Sequence, residues 1–345
     1  MNVLWVRFGA FGDVLKAVAR ARLFKRVFPE AQLTMLTRPE YAKIISVQDV
    51  FNDCILWDSK RNPLGFFKTI KDVRSRKFDM LVSVHNVGAS ALISIASCIK
   101  KRYGVSSVLQ FCYHKNVWDW FKEVGIDENL RDAPMIQTND ESMKLGKDLL
   151  SSLPENKAFC IIGASKPQKL WSIQYWTEFI KQLVAQGWGV VINGHGKEEA
   201  ENAKSILKEA GSKNILNLVD KVDFLEMAGV VKNCTIAVGP DTGPLHLAAL
   251  CGTPTLGLFG CTPSQKIGFT MPWFRELTCA CPNIGCWNYK CPQGDKCMTT
   301  LTPGIALEGF NGMVMNIANS KTSVSEAPPE IMKFDSRVCG APELC

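Results

Sequence analysis

Apolar positions in this chain repeat with two periods, and the two take turns. Asn2–Phe8 alternates and is rich in β-formers, which predicts a first strand. A helix-period run follows to about Phe28, where Pro29 and Glu30 stop it. Gln32–Leu36, Cys54–Trp57 and Met80–Val84 predict further strands, with helices near Tyr41–Ile45, Pro63–Arg76 and Ala89–Lys100. After Pro154 the same alternation restarts. Strands are expected at Ala158–Ile162, Gly189–Asn193, Ile215–Leu218, Thr235–Gly239 and Thr255–Phe259. Helices are expected at Ile173–Gln186 (entered through Ser172), Lys197–Ala210, Phe224–Lys232 and Pro244–Leu250. Strands alternating with helices imply a parallel, wound sheet. Two such series, parting near residues 151–157, predict an α/β protein of two Rossmann-like parallel-sheet domains with a cleft between them. The expected bounds are 1–153 and 154–317, with a last helix from Pro303 to about Ile317 and a loosely held tail over 318–345.

Composition narrows the class. A chain of 345 residues suits two ordinary domains, and 46% hydrophobic with 21% charged residues excludes collagenous or broadly disordered architectures. Arg7 and Asp13 interrupt the apolar start, so no secretory signal is expected; Met80–Ile99, the richest apolar stretch, is broken by His85, Asn86 and Gly88. A cytoplasmic protein is the expectation. The net charge of +7 belongs wholly to residues 1–150, where 23 Lys and Arg face 16 Asp and Glu; residues 151–345 hold 17 of each. An anionic partner (phosphorylated glycolipid, membrane surface or nucleic acid) would be drawn to the first half, although a plain solubility bias gives the same numbers.

Three loops at strand ends could carry chemistry. The strand Thr235–Gly239 runs into Pro240-Asp241-Thr242-Gly243, with Pro244 at a first helical position and Asp241 placed to cap. Such a helix start offers free N–H groups and a positive dipole end to a diphosphate, with Thr242 as a hydroxyl donor and His246 on the first turn. A capped helix with His246 as a satisfied core histidine fits the same pattern. After Ala158–Ile162 comes Gly163-Ala164-Ser165-Lys166-Pro167-Gln168-Lys169-Leu170-Trp171-Ser172, whose lysines could neutralise phosphate or simply be solvated. Gly9-Ala10-Phe11-Gly12-Asp13 lacks the glycine spacing of a dinucleotide fingerprint, and this disfavours an NAD-dependent oxidoreductase. Asp13 there is either a helix N-cap or a base facing the cleft.

Together these loops resemble glycosyltransferase family 9, the bacterial lipopolysaccharide heptosyltransferases. The resemblance covers roughly residues 2–317 and rests on five collinear segments: RFGAFGDVLKAVARARLFKRVFP, the lysine loop ending KLWS, VVINGHGKEEAENA, LVDKVDFLEMAGVVKNC and GPDTGPLHLAALCGTPTLGLFG. It implies a GT-B fold, with acceptor on the first domain and nucleotide sugar on the second. It implies Asp13 as general base beside Gly9 and Gly12, and Lys169 with Ser165 on the donor phosphates. Asp241, Thr242, Gly243 and His246 would hold the donor. Transfer would proceed with inversion, without a catalytic metal, from ADP-heptose to a lipopolysaccharide core acceptor at the cytoplasmic face of the inner membrane, with no part for nucleic acid.

The chemistry suits those residue types, since a carboxylate can take the acceptor's proton while lysine and a helix start stabilise the departing diphosphate. Of fourteen cysteines, nine are scattered and read as small reduced hydrophobes. Cys279, Cys281, Cys286, Cys291 and Cys297 cluster, and are either a structural zinc or iron site or thiols packing an irregular loop. A relic transferase sensing metal or redox state through that cluster is the competing function.

Overall fold

The computed structural model describes residues 1–58, 61–86, 88–106, 109–126, 135–262, 269–281, 285–286 and 296–322. The first half runs β1 (Asn2–Val6), α1 (Phe11–Val27), β2 (Gln32–Thr37), α2 (Ala42–Ser46), β3 (Asp53–Leu56), α3 (Gly65–Ser75), β4 (Met80–Ser83), α4 (Gly88–Ala96), β5 (Lys101–Gly104), β6 (Lys115–Asn116), α5 (Val117–Glu123) and α6 (Asp140–Leu149). The second runs β7 (Lys157–Ile161), α7 (Ile173–Ala185), β8 (Gly189–Asn193), α8 (Lys197–Ala210), β9 (Ile215–Asn217), α9 (Phe224–Lys232), β10 (Ile236–Pro240), α10 (Gly243–Leu250), β11 (Thr255–Phe259), β12 (Phe274–Thr278) and α11 (Pro303–Thr322). Each half builds a six-stranded sheet, ordered β3-β2-β1-β4-β5-β6 and β12-β11-β10-β7-β8-β9. All the strand pairs are parallel. These are the two wound α/β sheets of a GT-B protein.

Helices cover both faces of each sheet, so the central strands are apolar throughout. In β1, Val3 and Trp5 enter one core, and Leu4 and Val6 the other. The alternation expected for Asn2–Phe8 is therefore between two buried faces. Trp5 stacks on Phe121 and takes the edge of Phe24 at 5.5 Å. The first of these cores does not stop at the domain junction: Phe159, Ile161, Val191 and Ala237 of the second sheet belong to it, together with the buried faces of α9 and α10. The two sheets are thus joined through α1 packed on α10.

Several elements were not expected. β5, β6, α5 and α6 lie between residues 100 and 150, and β12 is a half-exposed edge strand with charged residues on it. α6 is capped by Asn139, whose side chain accepts from Ser142 N. It packs on α9 of the second sheet, so the chain crosses between the halves before β7 begins. Gly146 sits inside α6, where the helices touch; a Cβ there would lie 2.5 Å from the Gly229 carbonyl carbon. Among the described residues no helix is long and apolar enough to cross a membrane.

Gly229→Ala should therefore destabilise by about 1–3 kcal/mol, because its Cβ would meet the Ser142 carbonyl. Gly312→Ala, in the middle of α11 with nothing within 4 Å, should instead gain up to about 1 kcal/mol. Urea unfolding of the two variants checks the pair, and equal effects would refute the close α6–α9 contact.

Candidate active site

Two ionised clusters meet where the carboxyl ends of the sheets converge. The first is built on β1 and α1. Arg7 leaves the end of β1 and donates to the Val84 carbonyl, just past β4, and to the Asp13 carboxylate. Lys16, three residues on from Asp13, stands 3.3 Å from the other carboxylate oxygen. Gly9, at φ 142°, makes the turn in a conformation that side-chain-bearing residues rarely adopt. Burial pushes the Asp13 carboxyl up, but Arg7, Lys16 and His246 outweigh it and hold it below the usual carboxylate range. His85 lies behind this cluster, edge-on to Phe8 at 5.7 Å. Burial, and then Arg7, pull its pKa to about 3, so the imidazole is neutral at neutral pH.

The second cluster stands at the end of β10. Asp241 accepts from Lys169 Nζ at 2.6 Å and pairs with His246 Nε2 at 2.9 Å. Burial raises the Asp241 carboxyl, yet His246 and Lys169 together bring it well below the ordinary range. An ionised carboxylate only accepts, so His246 Nε2 carries the proton and Nδ1 is left on the opposite side of the ring. Lys169 closes a 3-10 turn, Pro167–Lys169. The chain just beyond it is latched from behind, since Trp171 Nε1 donates to the Leu301 carbonyl at 2.6 Å and Tyr175 Oη to that of Thr299 at 3.1 Å.

Glycines bring the clusters together. A Cβ on Gly12 would collide with the His246 ring, and one on Gly243 would lie 2.7 Å from Phe11 Cδ1. Phe11 in turn stacks on Phe224 of the second half at 3.8 Å. Arg7, Asp13 and Lys16 on one side and His246, Asp241 and Lys169 on the other are therefore brought together across the junction.

Neither aspartate caps a helix as expected. Asp13 is the third residue of α1, whose N-cap is Ala10 with no side-chain bond. The N-cap of α10 is Thr242, and its hydroxyl donates back to Pro240 O at 3.3 Å. Charged partners outbid neutral backbone N–H groups for both carboxylates, and the first turns of α1 and α10 are left without side-chain caps. Ser165 is exposed at the tip of the lysine loop. Sequence reasoning passed over Arg7, Lys16 and His85. Lys16 could have been found, because it stands i+3 from Asp13 on a helix.

Of the clustered cysteines, Cys279 and Cys297 approach to 4.0 Å between sulfurs. Burial pushes the Cys297 thiol up, with Cys279, Cys261 and Cys281 adding to the shift. Cys261, from just past β11, thus joins a group that sequence spacing had left it out of. Cys281 is half-buried and Cys286 exposed, and Cys291 lies outside the described residues. Among the described residues no three His, Cys, Asp or Glu side chains are placed to hold a metal ion.

The profile of glycosyltransferase family 9 (heptosyltransferase) matches residues 66–296, about two thirds of the chain. The chain belongs to glycosyltransferase family 9. Lipopolysaccharide heptosyltransferase 3 of Escherichia coli K12 is 23% identical to this transferase over 296 residues, 77% of this chain and 83% of that protein. The solved E. coli ADP-heptose lipopolysaccharide heptosyltransferase II superposes with a TM-score of 0.72 at 18% identity, covering 92% of this chain and all of the other. E. coli heptosyltransferase WaaC, solved with ADP-2-deoxy-2-fluoro heptose, gives 0.69 at 16% identity over 90% of this chain and 99% of its own. At such identities the likeness shows the GT-B fold of the family 9 enzyme.

Removing the Asp241 charge from this transferase takes the carboxylate at 2.6 Å away from the mostly buried Lys169. Asp241→Asn should cost about 3–5 kcal/mol at neutral pH. Because the folded pKa is depressed, the ionised Asp241 stabilises above the ordinary carboxylate pKa, and that stability is lost as pH falls through the folded value. Denaturant unfolding of parent and variant should differ most near neutrality and converge in acid; a gap independent of pH would contradict the pairing.

Proposed function

We propose that this glycosyltransferase moves a heptose, with inversion and without a catalytic metal, from an ADP-sugar to a lipopolysaccharide core or similar anionic envelope glycan. The observation that carries the reading is the junction itself, where Gly12 abuts His246 and sets the Asp13 cluster beside the Asp241–Lys169 cluster. One cluster offers an ionised carboxylate, and the other a fixed ammonium next to an uncapped helix start.

In this reading the acceptor hydroxyl approaches Asp13 from the first domain. The carboxylate takes the proton as the oxygen bonds to the anomeric carbon, and Arg7 and Lys16 keep it ionised and aimed. The diphosphate leaves from the opposite face of the sugar, which inverts the centre. Its developing charge falls on Lys169 and on the first turn of α10, groups already oriented before the donor arrives. The α10 site belongs to the same helix that packs on α1, so the donor and base halves are registered by the fold. The donor class is supported by the relatives: WaaC was solved with an ADP-heptose analogue.

Asp13→Asn and Asp13→Ala should each lower kcat by about 10²–10⁴-fold with smaller effects on KM. Lys169→Met should lower kcat by about 10²–10³-fold through lost charge stabilisation. Because the Asp13 carboxyl is held below its usual range, the parent rate should stay flat as pH falls through the ordinary carboxylate region. An acid limb centred there, or an Asp13→Ala variant with an undiminished rate, would remove the base assignment.

A panel of nucleotide sugars supplies the independent test of donor. ADP-heptose at about 100 times its Kd should raise stability by about 2.7 kcal/mol, with UDP- and GDP-sugars near zero. The shift and the transfer rate should both survive EDTA. A requirement for added magnesium would overturn metal-free transfer.

A further inference from the structure

Three buried nitrogens stand without partners at the carboxyl edge of the first sheet, and the transfer chemistry uses none of them. Arg7 gives its two terminal nitrogens to the Val84 carbonyl and the Asp13 carboxylate, and its Nε has no acceptor. Arg38 reaches the half-exposed Glu40 through Nη1 at 3.3 Å, and its Nε is likewise buried without an acceptor. His85 is 8% exposed, and its Nδ1 has no partner. Buried polar groups are costly to leave unpaired, so each of these calls for something to meet it.

The three belong to one place. Arg7 directly follows β1, Arg38 directly follows β2, and His85 stands two residues past β4. These strands are neighbours, in the order β2-β1-β4, and between β1 and β4 the winding of the sheet reverses. A crevice opens at such a point beyond the strand ends. Arg7 ties the ends together, its backbone N–H donating to Leu36 O at 3.1 Å and its side chain to Val84 O. The Arg38 guanidinium lies against Gly9, where a Cβ would stand 3.7 Å from Nη1. The His85 ring lies against Phe8, and the charges of Arg7 and Arg38 both reach it. Arg7, Lys16 and Arg38 outnumber Asp13 and Glu40 here.

We propose that the ends of β1, β2 and β4 form an anion subsite, in which a carboxylate or phosphate borne by the acceptor glycan sits between Arg7 and Arg38 while His85 donates from Nδ1. The planar edge of a guanidinium suits paired anionic oxygens. A neutral hydroxyl would leave the excess positive charge uncompensated. Burial and the two arginines keep the imidazole uncharged, so His85 supplies a donor without adding a third cation. Lys169 and the start of α10 stand on the second half, so an anion held here is distinct from the leaving diphosphate. Arg7 touches Asp13 as well, and a charged group seated on it sets the neighbouring acceptor hydroxyl before that carboxylate. Assignment to the acceptor rests on the proposed role of Asp13; capture of an anion does not.

The test is imidazole NMR on the full chain, whose four histidines include His85 and, as a reporter of the donor side, His246. His85→Gln identifies the first set of signals. Methyl glucuronide, inorganic phosphate and neutral methyl glucoside are titrated at constant ionic strength. At least one anion should shift the His85 signals to saturation, the glucuronide marking a carboxylate ligand and phosphate a phosphoryl one, while the glucoside should leave them in place. Arg38→Gln should weaken anion affinity about tenfold or more. Arg38→Lys keeps the charge but loses the fork, and should weaken it about threefold or more. Both should melt at the parental temperature; if Arg38→Gln does not, Arg38→Lys decides. In transfer to a lipopolysaccharide core acceptor, these variants should act on acceptor KM more than on kcat. Unmoved His85 signals, an equal response to methyl glucoside, or affinity indifferent to Arg38 would overturn the proposal. So would anions that shift His246 alone, because the ligand would then lie on the donor side. Transfer that survives Asp13→Asn, with anion capture at His85 intact, would instead strike at the catalytic reading and leave the subsite standing.

Discussion

The close packing of the start of α1 on the start of α10 is the contact on which the rest depends. Gly12 and Gly243 make it possible, one by yielding to the His246 ring and the other to Phe11. Any larger residue at either position would force the helices apart. Phe11, in a three-ring cluster with Tyr41 and Phe224, fills the flank of the contact and carries the first core into the second half. The junction is therefore closely packed. That packing has a functional consequence, because helix starts are where backbone donors are unsatisfied, and here two of them are brought together with no side-chain caps.

Charge accounts for the missing caps. Arg7, Lys16 and Lys169 are mostly buried, and burying a cation is tolerable only beside an anion. Asp13 and Asp241 meet that need and are taken away from the helix ends where their residue type would ordinarily place them. His246 bridges the two groups, with Nε2 on Asp241 and the ring against Gly12. An arrangement of this kind is rigid, since each group is held by at least one of opposite sign. It is also preorganised, because the loop with Lys169 is braced through Trp171 and Tyr175 by the chain leading into α11.

Much of this was legible in the sequence. β8, α8, α9 and β11 fall on the expected residues, and Ser172 caps α7 as read. In those segments the period is strong and the punctuation local. Legibility failed where tertiary contact overrides local pattern. α6 was not expected and is held where Gly146 meets Gly229 at a helix crossing; β12 is polar because it is an edge. Asp13 looks like a cap although its partners Arg7 and Lys16 are close in sequence, whereas Asp241 looks like one because sequence spacing does not show its distant partner Lys169, 72 residues away. Cys261 escaped notice for the same reason, as it reaches the other thiols only through the adjacency of β11 and β12. The loops were visible; which loop faced which was not.

The low pKa of Asp13 bears on how a base of this kind would work. A carboxylate held below its usual range has little tendency to take a proton from a resting alcohol. It can do so once the alcohol oxygen has begun to bond to an electron-poor anomeric carbon, since that bond makes the hydroxyl strongly acidic. A weak, permanently ionised base then loses nothing at the moment of transfer and avoids spending part of its time protonated. In the proposed mechanism the difficult part of the reaction would then fall to departure of the diphosphate, on the other side of the junction. The proposed division of labour has a physical rationale: Asp13 is partly exposed and paired with two cations, while Lys169 and Asp241 are mostly buried, where electrostatic stabilisation is stronger.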